Sequence, residues 1–448
     1  MLVSVFACGG LSQSQIDASR NHVATALILI DQGELTQALA DLDSAISIDP
    51  EYSDAYVNRG RIRLLLREYD QAISDYSTAI SISNDNASYY GYRGEAYTRL
   101  GAYKEAILDY NEAIRIDPLN PMHFADRGAV FTKIGGYRKS IEDFDEAIKL
   151  EPEDSSFYAK RADSYVQFDE YRKAIPDYTI AISIDKDIAA YFFSRGIAYA
   201  KLGLGKEALS DLSIATNLEP NNPKLFTYRA TFWGNLGDHN RALQAFNDAI
   251  ELDPNNPRLY VDRATAYSFL GEYVLAIQDL NAAIEFLPAE ASLYNDRALA
   301  LTFLGEFGLA VVDYDLAIDL SPRNPRFIAN RGNAYASSGN LEMAITDYEN
   351  ALKLDPTDAM TFNNLGIIRR DSGQFQQAIK DFTNAIQADP DYPFSYANRA
   401  LCNALIGEDA KVEADIKRAT ALGLDRTTLE EGILAEKKRR LPTGSASD

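Results

Sequence analysis

Nine prolines constrain this chain more than any other feature. Pro50, Pro118, Pro152, Pro220, Pro254, Pro288, Pro322, Pro356 and Pro390 are separated by 34 or 68 residues at every step. The two members missing inside the ladder are Asn84 and Lys186, and the next step reaches Leu424. A fixed period of this length marks one supersecondary unit copied along the chain. It overrides the prior of about three separate domains that 448 residues would suggest. With each ladder position taken as place 32 of a repeat, twelve repeats run in unbroken register from Ser19 to Arg426.

Other places repeat as strictly. Place 27 is alanine in all twelve repeats, and place 20 is alanine in ten, with Ser140 and Val412 as exceptions. Place 15 is glycine in ten, with Arg67 and Asp169 as exceptions. Place 8 is always glycine or alanine, and place 24 is always large and apolar or aromatic, as in Tyr76, Phe144 and Tyr348. In repeat ten, Ile328, Arg331, Gly332 and Tyr335 are spaced i, i+3, i+4, i+7, one face of a helix. Gly339 breaks that helix, and a second helical pattern carries Ala344, Tyr348 and Ala351. Asp355-Pro356 stops it, because proline disfavours helical geometry in the residue before it. Each repeat is therefore read as helix A, a tight turn and helix B.

These residues resemble the tetratricopeptide repeat, whose 34-residue period and small/large pattern they match over about nine-tenths of the chain. The resemblance implies an all-α fold, a right-handed α-solenoid of stacked helix-turn-helix repeats with a concave groove. One such pair cannot bury its apolar face alone, so neighbours share stability. The expected organisation is an N-terminal tail over 1–18, twelve repeats over 19–426, a capping helix over 427–441 and a disordered tail over 442–448.

The family usually has leucine at place 7. Here it is arginine in ten repeats, while place 23 is aspartate in eleven, and nine repeats carry both. The pattern reads either as a ladder of anion-binding arginines or as an internal Arg–Asp pair between helices A and B. Co-occurrence favours the pair, since a guanidinium suits bidentate carboxylate binding. Repeat seven has Arg229 opposite Ala245, so Arg229 must find another acid or reach solvent. Pro176 falls inside helix B of repeat five, where a kink is expected, and that repeat also lacks the usual Gly and Pro.

The N-terminal Val5-Phe6-Ala7-Cys8 resembles the lipobox of bacterial lipoproteins, which implies lipidation at Cys8. Only seven residues precede Cys8, fewer than a signal peptide needs, so either the start lies upstream or the match is accidental. The polar Ser12–Gln15 stretch suits a tether. At the other end, Leu424, Leu429, Ile433 and Leu434 suggest an amphipathic cap. Lys437-Lys438-Arg439-Arg440 reads as cations solvated at a helix C-terminus.

Composition narrows function. Hydrophobic residues are 46% and charged residues 25%, as in a folded chain. A net charge of -22 disfavours nucleic acid. Two cysteines and three histidines, at three different places of three repeats, offer no disulfide scaffold or zinc cluster. No metal, cofactor or catalytic residue is expected, and the chain is read as a non-enzyme.

A helical wheel puts places 4, 7, 8 and 11 on one side of helix A and places 2, 5, 6, 9 and 13 on the other. In the resembling family the second set lines the groove. Place 5 carries no lysine, so a carboxylate clamp for chaperone tails is not supported. The groove candidates are Asn295, Asn330, Asn333, Asn363, Asn364 and Asn398, with aromatic candidates Phe193, Tyr228, Phe269 and Phe303. An asparagine amide donates and accepts at once, so a ladder of them can hold an extended backbone. This is similar to the asparagine ladder of the protein O-GlcNAc transferases. The alternative is that asparagine is simply a small soluble groove residue.

The expected function is a monomeric scaffold that binds a peptide segment of another protein, with no membrane contact except through Cys8. Two alternatives stay open: a lipid-anchored envelope assembly factor and a non-catalytic adaptor subunit. The compartment, cytoplasm or bacterial envelope, stays open with them.

Overall fold

The computed structural model describes residues 11–440. Cys8 and the 442–448 tail lie outside the described residues. Among those described there are helices and no strands, and each repeat is a helix A of 13 or 14 residues followed by a helix B of 13 or 14, repeat one alone having a longer helix A.

The helix boundaries follow from chemistry at a few places. Where place 34 is asparagine or aspartate, its side chain caps helix A of the next repeat. Asn120 accepts from the Met122 amide, Asn222 from Lys224, Asn256 from Arg258 and Asn324 from Arg326, each with proline in the first turn. Such a cap satisfies one of the orphan amides at a helix start, and the proline has no amide to leave unpaired. Place 15 ends helix A in the left-handed region. Its ten glycines have φ between 75° and 86°, and Arg67 (64°) and Asp169 (58°) are forced into the same region.

The chain divides into two compact halves, one ending at Pro220 and one beginning at Asn221. Within each half, helix A packs on its own helix B and helix B packs on the next helix A. The core is a stripe of small residues wedged against large ones. The place-20 and place-27 alanines are buried, as are the place-24 side chains from Tyr76 to Phe382. Place 8 is small because the place-24 ring lies on it: a Cβ on Gly332 would stand 2.8 Å from Tyr348 Cε1, and one on Gly366 would stand 2.6 Å from Phe382 Cε1.

The arginines at place 7 are internal. In nine repeats the guanidinium donates through Nε and Nη2 to the aspartate at place 23 of the same repeat, at 2.6–3.2 Å. Its Nη1 reaches back to place 25 of the preceding repeat, for example from Arg331 to Asp315 at 2.5 Å and from Arg263 to Asn247 at 2.6 Å. One side chain thus ties three helices. The exceptions are filled from elsewhere. Arg229 turns to Asp248 at 3.1 Å. In repeat eleven Arg369 pairs with Asp381 and also with Glu349. In repeat one His22 bonds Asp41 at 2.7 Å.

One local expectation needs correction. Ser12–Gln15 is no tether. The Ser12 hydroxyl accepts from the Gln15 amide and the Gln15 side chain bonds the Ser12 amide, a capping box that starts the first helix at Gln13. Helix B of repeat five runs Tyr171–Ile184 with Pro176 inside it. The final helix spans Arg426–Arg440, with Leu434 exposed and Leu429 and Ile433 half-buried.

Candidate binding face on the A helices

Places 2, 6, 9 and 13 of helix A stay open, while place 5 mostly does not. Val57, Ala125, Ala159, Ala329, Asn295 and Asn363 are buried at place 5. The wheel puts place 5 on the outer side of an isolated helix, but the next helix A in the stack covers it.

That burial divides the six asparagines into two layers. Asn295 and Asn363 are 3% exposed and form the lower layer. Asn330 donates to Asn295 Oδ1 at 2.9 Å, and Asn398 donates to Asn363 Oδ1 at 3.0 Å. Asn364 donates to Asn333 Oδ1 at 3.1 Å, which also accepts from the Tyr348 hydroxyl at 2.7 Å. The structure therefore joins these residues in three Asn–Asn pairs across successive repeats. Each amide nitrogen has two hydrogens. After these bonds Asn330 and Asn364 keep one N–H and their carbonyl oxygen, whereas Asn398 Oδ1 accepts from Arg370 at 2.9 Å.

The aromatic candidates are not one cluster. Phe193 is half-buried in the first half of the chain, and Tyr228, Phe269 and Phe303 are in the second. Phe269 is 71% exposed and stacks on His239 with centroids 4.7 Å apart; Phe303 is 62% exposed and stacks on Tyr273 at 5.0 Å. Phe269 and His239 wall a cavity of about 550 Å³ that also holds Asp262 and Arg258. Tyr228 is 52% exposed.

The sequence reading missed the tyrosines of place 24. They belong to helix B, yet their hydroxyls reach place 9 of helix A: Tyr348 bonds Asn333, and Tyr178 donates to Asp163 at 2.5 Å. The small residue at place 8 is the opening they pass over. Asp163, Tyr178, Lys160 and Ser194 line a second cavity, of about 720 Å³. Asp126 and Asp163, two acids of this face, were missed as well. Burial raises Asp126, Asp163, Asp262 and Asp296 above the usual carboxylate range, and Asp126 is pushed up to about 6.

Stacked helical hairpins of constant length, each packed on the next within either half of the chain, define an α-solenoid repeat protein. Family profiles described as TPR repeat match residues 26–66, 60–101, 94–135 and 332–369, and those described as tetratricopeptide repeat match 245–278, 291–324 and 361–392. The chain belongs to the tetratricopeptide repeat family. Among solved structures, a tetratricopeptide repeat protein from Parabacteroides merdae is similar at 18% identity, over 56% of this chain and 99% of its own, with a TM-score of 0.45. The C-terminal part of a TPR repeat-containing protein from Cytophaga hutchinsonii is similar at 22% identity, over 53% and 98%, with a TM-score of 0.47. The APC/C hetero-tetramer Cut9–Hcn1 is similar at 14% identity, over 88% and 99%, with a TM-score of 0.41. No curated protein matches the chain. No helix among the described residues is long and apolar enough to cross a membrane.

Proposed function

We propose that this chain is a protein-interaction scaffold that holds a peptide segment of its partner along the A-helix face. The observation that carries the reading is the pair of half-committed amides, Asn330 and Asn364. They sit one repeat apart, each anchored by an asparagine of the preceding repeat and each left with one donor and one acceptor. A peptide bond offers the complementary pair, and holding it this way asks little of the partner's side chains. Exposed Phe269 and Phe303 supply apolar anchors on the same face.

The test is capture of the partner from the native source with the wild type and with an Asn330→Ala, Asn364→Ala, Phe269→Ala variant. The expected result is a partner held by the wild type and lost from the variant. A partner held equally by both would move binding elsewhere. The outer face of repeats eight and nine is then the next place to look, because Val274, Leu309 and Val312 are more than half exposed there.

A further inference from the structure

We infer that the A-helix face of repeats three and four receives a cationic side chain, lysine or arginine, of the bound segment, with Asp126 as its counter-ion and Glu95 beside it. The inference rests on the reading of the A-helix face as the binding face and concerns the first half of the chain by itself.

Asp126 stands apart from the acids at the same place in other repeats. Asp262 is bonded by Arg258 at 2.9 Å, and Asp296 accepts from Asn295 at 3.0 Å. Asp126 makes no hydrogen bond and no ion pair among the described residues. Lys160 is the one cation acting on it, against its own burial and the charge of Glu95. Glu95 has only Arg99, an exposed neighbour one turn along its own helix at 3.3 Å.

Acidic residues alone would not make a site, but buried tyrosine hydroxyls stand among these. The Tyr76 hydroxyl is fully buried and has no hydrogen-bond partner. Its ring lies over Gly60, and of the surrounding charges Glu95 acts on it most. His123 Nε2 is buried and unpartnered too among the described residues, but its ring lies against Gly91 and the acid acting on it is Asp117, so it does not belong to this cluster. The Tyr110 hydroxyl, held up by burial, feels Asp126 and then Glu95. A native fold seldom leaves a buried hydroxyl unsatisfied beside carboxylates that lack a close counter-ion. A guanidinium or ammonium, with several donors and no acceptor, supplies what the acids and the open hydroxyl lack. A phosphate-bearing ligand is repelled, and no group of three or more acidic, histidine or cysteine residues is placed to hold a metal ion among the described residues.

The test uses the full chain and labelled peptides with a glycine-serine background carrying arginines, or glutamines in their place, followed by fluorescence anisotropy. The arginine peptide is expected to bind more tightly than the glutamine peptide. Asp126→Asn is expected to weaken it about tenfold, and Glu95→Gln by less. Glu251→Gln, which removes one exposed charge in the other half of the chain, is expected to leave it unchanged and so to control for general attraction. Asp126→Asn keeps the side-chain shape, and an unchanged circular dichroism spectrum verifies its fold. Equal binding of the two peptides, or equal losses in Asp126→Asn and Glu251→Gln, would overturn the inference. Equal binding of the two peptides, with a captured partner still lost from the Asn330→Ala, Asn364→Ala, Phe269→Ala variant, would leave the proposed face standing while this contact fails. A captured partner indifferent to every A-face variant, with the arginine peptide still dependent on Asp126, would instead overturn the proposed face.

Discussion

At Asp126 the fold holds a charge at a cost, and pH makes the cost measurable. Its folded value, about 6, lies above the ordinary 3.8. Between those values the folded protein binds a proton that the unfolded chain releases, so this residue's contribution to stability falls as pH rises from about 4 to about 6. Asparagine removes the titration. The melting temperature of Asp126→Asn should exceed that of the wild type at neutral pH, and the difference should vanish near pH 4; melts across that range check it. A bound guanidinium would favour the ionised carboxylate, so affinity for the arginine peptide should fall as pH drops below about 6. Close packing sets a second test. A methyl at residue 332 collides with the Tyr348 ring at 2.8 Å. Gly332→Ala should cost about 1–3 kcal/mol by chemical denaturation, and adding Tyr348→Leu should recover part of it. Repeat eight already combines alanine at place 8 with leucine at place 24, in Ala264 and Leu280.

At the scale of the element, one contact sets the register of the helices. Asp347 is buried and receives two bonds from Arg331, which also holds Asp315 of the repeat before. Asp347→Ala leaves that guanidinium without its buried acid and should cost about 3–5 kcal/mol. Asp248, the half-exposed substitute partner of Arg229, should cost about 0–1 kcal/mol when changed to Ala. Equal losses by denaturant titration would show that burial does not decide the worth of these pairs. The turn between the helices offers a gain. Arg67 is exposed and held at φ 64° where ten other repeats have glycine. Arg67→Gly should raise stability by about 0.5–1 kcal/mol, the left-handed penalty outweighing glycine's larger freedom in the unfolded chain.

For the whole molecule, what could be read in advance followed from distance along the chain. The period, the turn glycines and the Arg–Asp pairs recur at fixed spacing, so they are legible in one dimension. The Arg229 exception was legible too, since Ala245 removes its acid and Asp248 is the acid three residues on. What crosses between helices was less so. Place 5 looked open on a lone helix and is covered by the next one, which turns Asn295 and Asn363 from contacts into supports. Tyr348 reads along the chain as one more large residue at place 24, yet its hydroxyl reaches Asn333 on helix A. The same geometry makes stability local. A repeat touches its neighbours alone, so a lesion should spread by one repeat and then fade. Asp347→Ala breaks a tie whose three ends lie in repeats nine and ten. Amide hydrogen exchange should therefore quicken most in the two helices of repeat ten, less in repeats nine and eleven, and not at all in repeats two to four. Uniform quickening along the chain would mean that the repeats open as a single cooperative unit, and that the arginine ties serve the whole stack instead of each junction.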